Sequence, residues 1–71
     1  MIGNGHPHGE LGYVIVEEGD IDPATLQLNI RHYLVVQPDG AQVSGTFSLS
    51  EARAYIEATE LNLKKNNNLD I

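Results

Sequence analysis

Residues 25–63 read TLQLNIRHYLVVQPDGAQVSGTFSLSEARAYIEATELNL, and this stretch decides the fold. Large apolar residues recur at alternate positions, Leu26, Leu28, Ile30, Leu34 and Val36, interrupted only by His32. Period two is the pattern of a half-buried strand. Gln37-Pro38-Asp39-Gly40 ends it, because Pro38 presets φ at the first turn position and Gly40 supplies the left-handed conformation that closes the reversal. The residues from Ala41 to Phe47 then form the returning strand. Burial selects the register, since a slip of one residue moves every side chain to the other face. Pairing Val36 with Ala41 sets Leu34 opposite Val43 and Ile30 opposite Phe47, which gathers the large apolar groups. A three-residue loop pairing Gln37 with Ala41 would set Val35 against Val43 and Arg31 against Phe47, and is the second choice.

The helix follows at once. Ser48-Leu49-Ser50-Glu51 is an S-x-x-E capping box, in which the serine oxygen and the glutamate each satisfy a free backbone donor. Leu49, Ala52, Ile56, Thr59 and Leu63 recur at spacings of three and four, with Tyr55 and Leu61 on the flanks. Glu51, Arg53, Glu57 and Glu60 then face water. Lys64 and Lys65 sit in the last turn, where a cation suits the dipole, and Asn66-Asn67-Asn68 stops the helix.

Upstream, residues 1–12 hold four glycines, two histidines and Pro7, so a flexible Gly/His-rich arm is expected there. His6, His8 and Glu10 could offer ligands to a divalent ion, but a mobile segment does not preorganise them, and neither a metal nor any other cofactor is expected. Tyr13-Val14-Ile15-Val16 reads as a strand apolar on both faces. Glu17-Glu18-Gly19-Asp20-Ile21-Asp22-Pro23 is an acidic loop without the spacing of a calcium loop. The organisation is therefore an arm at 1–12, one domain at 13–65 and a short polar tail at 66–71.

Seventy-one residues are one small domain, able to bury roughly 60% of the surface its unfolded chain exposes. There is no cysteine, hence no disulfide framework, and no apolar run long enough for a membrane span. A cytoplasmic protein is expected. Ten acidic against four basic residues leave a net charge of −6, which repels phosphate backbones and attracts basic protein surfaces. His32 lacks a paired nucleophile or base at readable spacing, and Tyr33 and Tyr55 read as packing aromatics, so an enzyme is not expected.

The order strand, strand, strand, helix predicts an α+β fold, a three-stranded antiparallel meander with the C-terminal helix packed on one face (β-β-β-α). In element order it resembles the DNA-binding arm domains of tyrosine recombinases, which implies a nucleic-acid-binding accessory protein using the sheet. Charge opposes that alternative. In size and acidity the chain resembles small phage-borne antagonists such as anti-CRISPR proteins, which implies an inhibitor acting by binding a basic protein surface. A small acidic protein-protein interaction module is the leading expectation. Partner recognition is assigned to Glu17, Glu18, Asp20, Asp22, Glu57 and Glu60 through electrostatic complementarity. The sheet face that one helix leaves bare is assigned to a homodimer interface of Tyr13, Ile15, Tyr33 and Val35.

Overall fold

The computed structural model describes residues 1–69, with side chains through Lys64. Three antiparallel strands in the order β1-β2-β3 form one open sheet: β1 Ile2–His8, β2 Tyr13–Ile21 and β3 Leu28–Val36. The helix α1, Leu49–Leu69, follows. The β-β-β-α fold is thus as expected, but the strands are not the expected three. The stretch assigned to a flexible arm supplies β1, whereas Ala41–Phe47 contributes only isolated bridges, Val36 with Gln42 and Tyr33 with Phe47.

The turn after β3 forms where Pro38 and Gly40 put it, with Gly40 at φ 92°. Beside the turn its register is the second choice, the Gln37 N–H donating to the Ala41 carbonyl at 2.8 Å and the Val43 N–H to the Val35 carbonyl at 2.9 Å, but farther on Phe47 pairs with Tyr33 and not with Arg31. The reason is a bulge in β3. Glu18 pairs with His32 but Gly19 pairs with Ile30, leaving Arg31 without an opposite number. One extra residue reverses the alternation. Leu34 and Val36 therefore point to one face, and Leu28 and Ile30 to the other. Gly19 is required at the bulge because a Cβ there would collide with the Asn29 carbonyl.

The face that α1 covers carries Tyr13 and Ile15 of β2 and Val35 of β3. With Ala52 and Ile56 they make the core, against which Tyr33, Val43, Phe47, Leu49 and Tyr55 pack. Phe47 and Tyr55 meet with ring centroids 5.6 Å apart. This corrects the expected dimer patch: Tyr13, Ile15, Tyr33 and Val35 lie under the helix of their own chain and form no outward surface. The bare face instead carries Val14, Val16 and Val36, half-buried, around buried Leu34.

The capping box is present, with the Glu51 N–H donating to Ser48 Oγ at 3.2 Å and the Ser48 N–H to Glu51 Oε1 at 2.9 Å. The helix does not stop at the asparagines but continues to Leu69. Asparagine lowers helix propensity by only about 0.7 kcal/mol per residue and, unlike proline, leaves the backbone N–H in place. Asp70 and Ile71 of the expected tail lie outside the described residues.

The ladder explains how a proline fits in β1. Tyr33 and Val35 spend their backbone groups on Phe47 and Val43, so β3 bonds to β2 through His32, Leu34 and Val36. β2 in turn holds β1 through Tyr13 with His8 and Ile15 with His6. The backbone of Pro7 faces outward. Its missing N–H costs the ladder nothing, and it interrupts the open edge to which another strand could add.

Candidate functional site

Two regions stand out, a cleft under the helix and the far end of the sheet. The cleft, about 310 Å³, opens where α1 begins. Leu49 and Arg53 form its helix wall, while His6, Pro7 and His8 of β1, Ile15 and Glu17 of β2, and Tyr33 of β3 form the rest. Glu17 holds the strands together. Its Oε2 receives His6 Nε2 at 2.7 Å and its Oε1 receives the Asn4 N–H at 3.3 Å. Asn4 falls in a β1 bulge between Ile2 and Gly5, so the carboxylate satisfies an N–H that the irregular pairing frees.

The His6 hydrogen bond, with a smaller contribution from the Asn4 N–H, holds the Glu17 carboxyl below the usual glutamate range. A lowered native value adds stability that is complete above the ordinary value of about 4.3 and lost as pH falls through the native one. The midpoint of unfolding should therefore decline on acidification below that point. In Glu17→Gln the decline should be shallower, measured by denaturant titration at a series of pH values; an unchanged slope would contradict the role of Glu17. The Ser48 hydrogen bonds lower Glu51 in the same way and contribute to the slope that remains.

At its other end the helix grips the β1–β2 turn. His8 Nε2 lies 2.9 Å from Glu57 Oε2. Glu60 accepts the Glu10 N–H at 3.1 Å and the Leu11 N–H at 3.0 Å, and Lys64 reaches Glu10 at 3.4 Å. Gly9, at φ 83°, permits the approach, since a Cβ there would run into the Glu60 carboxylate. Residues 57, 60 and 64 lie three and four apart, on one helix face.

The acidic residues expected to bind a partner are accordingly dispersed and mostly engaged. Glu60 is only 7% exposed and Glu17 lies in the cleft. Glu18 pairs with His32, Asp20 with Arg31 at 2.6 Å, and Glu57 with His8. Asp22 accepts the Ala24 N–H at 2.8 Å in the β2–β3 connection. Glu18, Asp20 and Asp22 remain together at the far end of the sheet; Glu57 and Glu60 do not join them. Among the described residues no group of three or more His, Cys, Asp or Glu is placed to hold a metal ion, and no helix is long and apolar enough to cross a membrane.

The far end of the sheet is the half that the helix does not reach. Met1 pairs with Gly19 through both backbone groups, Ile2 lies opposite Glu18, Ile30 opposite Gly19, and Ile21 opposite Leu28. Here exposed aliphatics collect: Leu26 is 76% exposed, Met1 69%, Ile2 56% and Ile30 42%. Leu26 also has φ 60°, a left-handed conformation unusual for a branched side chain. Sequence reading placed Leu26 and Ile30 in a buried face and Met1 and Ile2 in the arm, so this surface escaped it; only the glycine inside the acidic segment marked the bulge that creates it.

The chain matches no protein-family model, no curated protein and no solved structure. Functional reading therefore rests on these two regions.

Proposed function

We propose that this protein is a small acidic interaction module that docks a basic protein surface through the far end of its sheet. The observation that carries the reading is the set of exposed aliphatics at this end of the sheet, Met1 and Ile30 flanking Gly19 on one face, Ile2 beside Glu18 on the other and Leu26 in the adjoining connection, with Glu18, Asp20 and Asp22 nearby. An exposed apolar patch rimmed by charge is a common form of protein-docking surface. The net charge of −6 steers a basic partner toward it and repels nucleic acid. Inhibition of such a partner, in the manner of small phage-borne antagonists, is the activity proposed. The sheet-on-DNA alternative is weaker, because β3 offers Arg31 and His32, both held by carboxylates.

Self-association would use the same patch and would bring Glu18, Asp20 and Asp22 of two copies together. The two modes respond oppositely to salt: screening weakens docking of a basic partner and strengthens dimerisation of like-charged copies. Sedimentation and partner capture at low and high salt separate them.

Leu26 supplies the sharper test. A left-handed leucine costs about 1–2 kcal/mol relative to a residue that tolerates that conformation, and nothing in the fold needs the side chain, which is exposed. Leu26→Asn should raise stability by about 0.5–1 kcal/mol while reducing recovery of partners captured by the unmutated protein. Opposite movement of stability and binding is the mark of a residue kept for docking. Equal capture by Leu26→Asn and by Ile30→Asp would contradict the assignment.

A further inference from the structure

The cleft under α1 has a charge pattern of its own. Among the described residues each histidine and each other lysine or arginine has a carboxylate within 4.0 Å: His6, His8, His32, Arg31 and Lys64. Arg53 has none among the described carboxylates. It stands near the start of the helix, where the dipole gives a cation no advantage, and it is exposed on the cleft wall. Glu17, across the cleft on the sheet, forms no ion pair with it; that carboxylate is held by His6 and the Asn4 N–H. Between them lies an apolar surface of Ile15, Leu49 and Tyr33.

We propose that this cleft is a receptor for a small organic monocarboxylate, whose carboxylate group pairs with the Arg53 guanidinium while its hydrocarbon body rests on Ile15, Leu49 and Tyr33. The planar guanidinium fork matches a carboxylate through two parallel N–H donors. A volume of about 310 Å³ is at the small end of ligand pockets and admits a small organic acid. The fixed charge of Glu17 disfavours a second anionic group, so dicarboxylates are excluded. This site is separate from the docking surface, and its titration is read independently of partner capture.

The test is a titration of the full chain, isotopically labelled, with 3-methylbutanoate, its neutral amide and the corresponding amine, followed by nuclear magnetic resonance. The carboxylate should bind with a dissociation constant on the order of millimolar, shifting the Arg53 side-chain signal and the amides of His8, Glu17, Tyr33 and Leu49. The amide and the amine should bind at least about tenfold more weakly. Arg53→Gln, at an exposed position that leaves the fold intact, should weaken the carboxylate by a similar factor, and Arg53→Lys should recover part of the loss. Binding of the amide or amine as tight as that of the carboxylate would overturn the proposal. So would equal affinity in Arg53→Gln, or the absence of saturable shifts up to about 100 mM.

Discussion

Replacing Ile56 by alanine should destabilise the protein by about 2–5 kcal/mol and leave much of the chain unfolded at room temperature. Ile56 has no exposed surface and lies in the core formed by Tyr13, Ile15, Val35 and Ala52. Removing three carbons loses their transfer free energy and leaves a cavity that a helix held to the β1–β2 turn by Glu57 and Glu60 closes only in part. The fold has little reserve, because a domain of this size rarely exceeds about 3–5 kcal/mol of net stability. Leu61→Ala is the control: Leu61 is 55% exposed, and its truncation should change stability by no more than about 0.5 kcal/mol. Urea titration measures both. Similar midpoints for the two variants would mean that the helix does not cover the Ile15 and Val35 face.

Glu60→Ala should cost about 2–3 kcal/mol, a large effect for a glutamate on a helix. The carboxylate receives the backbone N–H groups of Glu10 and Leu11 while itself almost fully buried. Alanine removes the charged acceptor of both donors, and hydrogen bonds to a charged group are worth about 1.5–3 kcal/mol. Glu60→Gln keeps one acceptor oxygen and should lose less. The signature that separates this role from generic destabilisation is local: in Glu60→Gln the Glu10 and Leu11 amides should exchange with solvent faster while those of Ile15 and Val35 keep their protection. Uniform acceleration would contradict a local clamp.

Much of the chain was legible because its signals are local. The Ser48 to Glu51 capping box, the Pro38 to Gly40 turn and the strand at Tyr13 to Val16 each depend on residues within a few positions of one another. What was not legible depends on distant partners. Nothing near His6, Pro7 or His8 marks a strand. That segment is ordered by Glu17, Glu57 and Glu60, up to 50 residues away. The alternation from Leu26 to Val36 looked like one face because the bulge at Arg31 is visible only in the pairing of Gly19 with Ile30. Once the bulge reverses the sides, the expected dimer residues become core, while Ile30 lies beyond the reach of the helix and Leu26 falls in the connection before β3, so both are exposed. Each of the described carboxylates also has a backbone or cationic partner, so the acidity read as a recognition surface serves the fold first. Under the proposed function, recognition falls to the few acids at the sheet end, Glu18, Asp20 and Asp22.

Both proposed surfaces require the N-terminal segment to be a docked strand, since Met1 and Ile2 build the far end of the sheet and His6, Pro7 and His8 build the cleft. Native-state amide exchange of His6 and His8 is therefore the most direct measurement. Their N–H groups face β2, and they should be protected by about a hundredfold or more over an unstructured chain, together with Ile15. Exchange of His6 and His8 at unstructured rates, while Ile15 and Val35 stay protected, would show a free arm beside a folded core and would contradict both sites.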